Sequence, residues 1–551
     1  MDRRQFLSLS PQRQKAAQAN TTSARTASGI GTYTGTFDTG QAVHLLKRTM
    51  FGAKPEDVAW CKGLGMDQAV EALLNTVTTV TTAPLNTYGD DITGIAPGTT
   101  WVNSTPPPPA TDDLDLDKMR RPTYQAWWLS VMLSQGRSIQ EKMVLFWSNH
   151  FSTEADKVLD ARLVYRHNNM LRTNCLGNFK ALVKAVTLDP AMLIYLNGNL
   201  NGKEVADENY ARELQELFTV GKGKDSHYTE EDVRAAARVL TGFRVNPVTM
   251  TSYFDSTQHE ITNKEFSDFY VNKKVSGKTG PEGATELDDL LNIIFSANEV
   301  AKHVVRRLYR FFVYYLIDDA VEADVIAPLA DIFRTSNWEI RPVLRALFKS
   351  EHFYDPLNMS CLIKSPVDFT VGMFREFDIK MPTPYMEAYE AQDTIRDYMK
   401  NMLQDLAQPP VVAGWDAYFQ EPQFHELWIN TDTLPKRNRL SDSLISAGGY
   451  EGMKIDVLAF ADKLSDPSDP IALVKDSLDI LYRIDVSDNT RSWLKNTILL
   501  SGQNPDSDYY WTDAWNDHKS SPGDMNYRQI VESRLQTLYK YIMDLSEYQL
   551  A

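Results

Sequence analysis

The stretch from Asp207 to Gly221, DENYARELQELFTVG, puts more chemistry into fewer residues than any other part of the chain. Drawn as a helix at about 100° per residue, it gathers Asn209, Arg212, Glu213 and Glu216 within roughly a third of the circumference. Tyr210, Leu214, Leu217 and Phe218 fall on the opposite face, which is the face that packs. Carboxylates displayed together can act as general acid and base or as ligands for a hard metal. Two imidazoles could complete such a site: His150, near the end of the apolar stretch IQEKMVLFWSNHF, and His259. The expected catalytic set is Glu213, Glu216, His150 and His259, with Arg212, Asn209 and His167 as substrate-binding residues and a divalent metal left open. His150 lies where a helix dipole favours the protonated ring; capping of backbone carbonyls is the competing role. His167 belongs to Arg166-His167-Asn168-Asn169, a group able to hold an anion, though such residues are also ordinary on a helix surface.

The spacing does not name a reaction. The sequence holds no HExxH, no pair of Glu-Xaa-Xaa-His motifs, no calcium loop and no phosphate loop. Glu208, Arg212 and Glu216 are four apart, which is also the spacing of a plain salt-bridge ladder. Against that ladder stands the character of the flanking segments. EKMVLFWSNHF and VRAAARVLTGF are too apolar for surface helices, so the segment between them should be buried with them. The expectation is an interior polar pocket lined by Glu213, Glu216, His150 and His259.

The elements that must position these residues are read from periodicity. Apolar residues recur at helical spacing from Gln41, after Pro55, from Tyr124, and on through the chain to Ile542. Asp189-Pro190 and Thr229-Glu230-Glu231-Asp232 are helix openings, and Gly221 and Gly242 are stops. Thr, Pro and Gly dominate residues 79–113, which read as a long surface loop. Short alternating runs near 247–282 read as a small β-hairpin insertion. The class is all-α, with a flexible arm over residues 1–39 and one large helical domain over 40–551.

Composition narrows the function. The chain has 551 residues, 43% of them hydrophobic, and a formal net charge of -16, which disfavours nucleic acid and anionic membrane surfaces as partners. Three scattered cysteines, Cys61, Cys175 and Cys361, give no disulfide framework. The opening MDRRQFL has the form of a twin-arginine export signal, but Pro11 to Lys15 stands where the apolar region should follow. A cytoplasmic location is favoured, with export as the alternative. Trp127, Trp128, Trp147, Trp415 and Trp428 could line a sugar pocket, although large aromatics more often fill cores.

Several motifs in order, LLKRTMFG, EKMVLFWSNHF, GNFKALVKAVTLDPAMLIYLNG, ENYARELQELFTVG, YTEEDVRAAARVLTGF and the late PPVVAGW with WINTDTL, resemble the bacterial family known as domain of unknown function 1800. The resemblance runs from about Gln41 to at least Arg437 and implies a largely helical fold. Members are often encoded beside a family similar to sulfatases and alkaline phosphatases, and many carry twin-arginine signals, so the resemblance implies a sulfatase-like partner. Where the family shows Asn-Glu-Asn this chain has Asp207-Glu208-Asn209, and where it shows His-Asp followed by a lysine this chain has His259-Glu260 and Lys264. Lys264 joins the substrate-binding set on that ground. Two functions follow as expectations: a hydrolase-like enzyme with a polar His/Glu pocket, with or without a metal, or a non-catalytic partner or maturation factor for the sulfatase-like protein.

Overall fold

A computed structural model of the protein describes residues 25–110, 115–446 and 448–551; the twin-arginine-like start lies outside the described residues. The fold is 57% helical, well above the roughly one-third typical of globular proteins. Two small antiparallel sheets of two strands each make up the named strands among the described residues. The all-α class with a small β insertion holds.

Local chemistry accounts for the main helices. In α1 (Thr39–Thr49) the Asp38 side chain caps the first turn and Gln41 answers it, a capping box. Proline opens α2 (Pro55–Asn75), and Asp115 caps α3 (Leu116–Ser134). Next come α4 (Gln140–His150) and α5 (Ala161–Asn174), the latter capped by Asp160. After α6 (Phe179–Thr187), α7 (Pro190–Tyr195) starts at Asp189-Pro190 as the sequence predicts, with the Asp189 carboxylate accepting from Met192 N. The segment at the centre of the sequence reading forms α8 (Asn209–Glu213), which runs directly into a π turn over Leu214–Thr219. Thr229 and Asp232 form the expected capping box of α9 (Glu230–Val239). Gly221 and Gly242 both take positive φ, 83° and 95°, the left-handed conformation in which glycine ends helices.

The β insertion consists of two hairpins. Strands β1 (Phe243–Asn246) and β2 (Thr251–Phe254) pair with Phe243 opposite Phe254, and β3 (Lys264–Glu265) and β4 (Lys274–Val275) with Lys264 opposite Val275. Beyond them lie α10 (Glu286–Ile294), α11 (Asn298–Phe312) and α12 (Pro366–Glu376), and helices continue through Met525–Asp544.

One contiguous cluster of buried apolar residues takes members from Ala42 to Tyr548. Helix α4 runs through it and is buried on nearly all sides, as a helix this apolar requires. Phe146 packs on Phe311 and Trp147 stacks on Phe179, with ring centroids 5.3 and 5.5 Å apart. Trp127, Trp128 and Trp147 belong to this core, while Trp415 and Trp428 form a small separate cluster. The Thr/Pro/Gly-rich stretch lacks long elements, as its composition predicts, but it is not a simple surface excursion. Trp101 is fully buried and donates to Thr123 Oγ1 at 2.9 Å, and Asp91 pairs with buried Arg120 at 2.7 Å. A tryptophan and an ion pair anchor a loop that turn residues alone would leave on the surface.

Candidate functional site

The π turn is the structural centre of the site. Its backbone bonds reach one residue further than in an α-helix: Val220 N donates to Gln215 O at 2.9 Å, and Gly221 N, one residue beyond, donates to the same oxygen at 2.9 Å as the segment ends. The wider turn changes which side chains face inward. Gln215 and Thr219 are fully buried, and Leu217, expected on the packing face, is only partly buried. The Gln215 amide oxygen accepts from Tyr270 OH at 2.8 Å, which ties the β insertion to the turn.

Carbonyls near a helix end lack helical partners, and two imidazoles supply them here. His150 Nε2 lies 3.0 Å from Phe218 O, and His303 Nε2 lies 2.9 Å from Leu217 O. Each ring must donate its Nε2 proton to its carbonyl. The two rings are 6.1 Å apart. Burial first, then the charge of Arg307, lowers the pKa of both, His150 well below its ordinary value and His303 to about 3. The dipole argument for a protonated His150 therefore fails, because burial among Phe146, Phe151 and Phe218 outweighs it. His150 is a neutral donor to a neighbouring helix end, and its Nδ1 is buried without a hydrogen-bond partner among the described residues.

The two glutamates of the segment occupy different environments. Glu216 pairs with Lys222 across the end of the turn. Glu213 is half-buried, and its Oε2 has no hydrogen-bond partner among the described residues. Burial, then the charge of Glu216, raises the Glu213 pKa, against the weaker pull of Lys222 and Arg212. Tyr195 and Tyr228 flank the pair closely enough for these charges to reach their phenols. Tyr195 is pushed up to about 12 by burial, then by Glu154 and Glu213. Tyr228 is raised by burial, then by Glu216. The result is an acidic group in which Glu216 and Glu213 act on Tyr228, and Glu154 and Glu213 act on Tyr195.

The remaining predicted residues lie in other clusters. Arg212 reaches Glu208 at 2.9 Å and Glu230 at 2.7 Å, so it ties α8 to the start of α9. The Arg212–Glu216 rung expected of a regular helix is replaced, because the π turn carries Glu216 toward Lys222. Asn209 is exposed at the start of α8, where its N–H donates to Asp207 Oδ1 at 2.8 Å. His167 Nδ1 lies 2.9 Å from Asp189 Oδ1, the carboxylate that caps α7. His259 and Lys264 meet on Glu286, with His259 Nε2 at 3.1 Å from Oε1 and Lys264 Nζ at 2.6 Å from Oε2. All three side chains are within 1% of complete burial. His259 Nδ1 also lies 2.9 Å from Thr241 O. Burial would raise the Glu286 pKa, but hydrogen bonds from His259, Lys264 and the Lys278 N–H carry it below the usual value.

The structure therefore brings Glu213 and Glu216 together, sets His150 behind the turn that carries Glu216, and places His259 and Lys264 in a separate ion-pair network. Among the described residues no three His, Cys, Asp or Glu side chains converge to hold a metal ion. Tyr195, Tyr228, His303, Gln215 and Glu286 were not singled out from the sequence. Only the excess residue of the π turn could have signalled Gln215, and the helical spacing of the segment hides it.

With this architecture in place, an all-α protein whose β insertion is tied to the π turn of the central segment, the match to known families is direct. Residues 44–550 match the family described as protein of unknown function (DUF1800), and the chain belongs to that family. No curated protein and no solved structure matches the chain. No helix among the described residues is long and apolar enough to cross a membrane.

Proposed function

We propose that the protein is a hydrolase-like enzyme that uses acid–base chemistry, with Glu213 as the proton donor and Glu216 as the ionised partner. The observation that carries this reading is the inequality of the two carboxyls: Glu213 has a free, buried Oε2 and a raised pKa, while Glu216 beside it is bound to Lys222. Neighbouring carboxyls whose environments differ in this way supply an acid and a base at one pH. The π turn on which Glu216 lies is a further support, since such turns frequently occur at functional sites. Glu154 also acts on Tyr195 beside the pair, so anionic substrates are repelled and neutral or cationic ones are favoured. Tyr195 and Tyr228 remain protonated at neutral pH and can donate hydrogen bonds to a leaving or attacking oxygen.

The test is turnover of chromogenic glycosides, carboxylic esters and peptide amides by the wild-type chain and by Glu213→Gln. The expected result is activity on at least one class, with kcat/KM reduced by ~10²–10⁴ in the variant, the range for loss of a general acid. The wild-type rate should fall as pH rises through the raised Glu213 pKa. Absence of turnover on every class, or a variant as active as the wild type, would overturn the reading.

A further inference from the structure

A second site lies elsewhere, on the far side of α4, where a small cavity is walled by Lys47, Arg48, Lys142, Lys364, Asp368 and His425. Chain order separates these residues by as much as 378 positions (425 − 47), yet α1, α4, the start of α12 and the 3₁₀ turn Phe424–Trp428 bring them to one place. Arg310 and Ala551 also line it. The void is about 40 Å³. At ~10–15 Å³ per water that is room for a few water-sized groups, far below the ~300 Å³ or more of a pocket for a drug-sized ligand.

Cations outnumber anions around it: Lys47, Arg48, Lys142, Arg310 and Lys364 line it, against Asp368 and the terminal carboxylate of Ala551. Lys142 pairs with Asp368, and Lys47 pairs with Glu376 at 2.9 Å. Arg48 has no carboxylate partner among the described residues; its Nη2 donates to Asn358 O at 3.2 Å and to Cys361 Sγ at 3.4 Å. Lys364 is 4% exposed, and its ammonium lies 3.9 Å from the centre of the Tyr548 ring with no hydrogen-bond acceptor among the described residues.

The unmatched atoms are all of one kind. His425 Nδ1 accepts from Ile363 N at 3.1 Å, so the ring's proton is on Nε2, and that Nε2 has no partner among the described residues. Arg48 Nε and Lys364 Nζ are also buried without partners. Three cavity-lining groups therefore offer N–H donors, and each lacks an acceptor. Buried donors are normally satisfied, and leaving a charged one unmet costs more than leaving a neutral one. An oxygen-rich anion supplies what is missing: several acceptors within a small radius and negative charge opposite Lys364 and Arg48. Burial, with repulsion from Lys47 and Arg437 against the pull of Glu376 and Asp368, brings the Lys364 pKa down to about 7.

We propose that this cavity binds a single small tetrahedral oxyanion, phosphate or sulfate, held by Lys364, Arg48 and His425, with Lys142 and Lys47 completing the positive wall. The site shares no residue with the group around Glu213 and Glu216 and is independent of the proposed hydrolysis.

The experiment is calorimetric and thermal titration of the full chain with inorganic phosphate and with inorganic sulfate at constant ionic strength, with chloride and acetate as controls. The expected result is saturable binding of at least one tetrahedral ion, with a melting-temperature increase that chloride and acetate do not reproduce. Lys364→Met should weaken that binding at least tenfold. It removes a buried unpaired cation while keeping the length of the side chain, so the variant should fold and should melt no lower than the wild type without ion. If that variant does not fold, anomalous diffraction from wild-type crystals grown in selenate decides, with a selenium peak in the cavity expected. Equal responses to phosphate, sulfate, chloride and acetate, an unchanged affinity in Lys364→Met, or no selenium peak in the cavity would overturn the proposal.

Discussion

Replacing Glu286 by glutamine keeps the shape of the side chain and removes one charge from a network with almost no access to water. Lys264 Nζ, now 2.6 Å from Glu286 Oε2, would be left with the Glu260 carbonyl at 2.5 Å and the Glu260 carboxylate at 3.5 Å. Breaking a buried ion pair by removing one partner costs ~3–5 kcal/mol, and the residual contact with Glu260 places this case toward the lower end. With an unfolding entropy of ~2.1 cal/mol/K per residue, a chain of 551 residues would lose only about 3 °C in Tm. Urea midpoints are therefore the better assay. Lys264→Met combined with Glu286→Gln should recover most of the loss, because no lone charge is then buried. The network also predicts the acid limb. Because the folded-state pKa of Glu286 is depressed, its contribution is complete above the unfolded carboxylate value and is lost as pH falls through the folded one. Glu286→Gln should flatten that limb. A single variant as stable as the wild type, or a double variant as unstable as the sum of the singles, would refute the argument that the pair acts as a unit.

Three further outcomes are expected. Gly221→Ala should destabilise by ~1–3 kcal/mol in urea titration, since φ is 83° and the added methyl meets the His303 ring; an unchanged midpoint would show that the turn can relax. His150→Phe removes the donor to Phe218 O in a buried site and should cost ~1–3 kcal/mol. Because the wild-type ring is held neutral, its native stability falls as pH drops below the unfolded histidine value, and the variant should lose less over that range. Glu213→Gln should be more stable than the wild type at neutral pH, whatever it does to activity. A carboxyl with a raised folded pKa loses stability as pH rises from the unfolded value through the folded one, and the amide has no such loss; a less stable variant would show that the charge holds the fold together.

How much of this could be read from the chain alone depended on the range of each interaction. Helix openings at Asp189-Pro190 and Thr229–Asp232, and the stops at Gly221 and Gly242, are set by neighbours within a few residues, and they stand where the spacing put them. The wheel drawn through Asp207 to Gly221 set Tyr210, Leu214 and Phe218 on the packing face, where they are buried, but it put Leu217 there too and missed Gln215, because it assumed a constant twist and the π turn breaks it. His150 and His259 were right as buried polar residues; their partners, Phe218 O and Glu286, lie 68 and 27 positions away and leave no local trace. The cavity at Lys364 shows the same limit more sharply. Lys47 and Arg48 in LLKRTMFG, and Lys142 in EKMVLFWSNHF, read as ordinary helix cations until packing brings them to Lys364 and His425.

The π turn has a genetic consequence. It holds one residue more than an α-helix joining the same two ends would need, so losing a single codon between Leu214 and Thr219 would let the segment close as a regular helix with α7 and α9 left in place. In most helices such a deletion rotates everything beyond it by about 100° and ruins the packing. Here it would remove an irregularity. The fold would survive, while the carbonyls of Leu217 and Phe218 would turn relative to the rings of His150 and His303, and Glu213 and Glu216 would be set at a new angle. A chemistry that depends on this turn is one reading-frame-preserving deletion away from being silenced in a protein that still folds, and one insertion away from being regained.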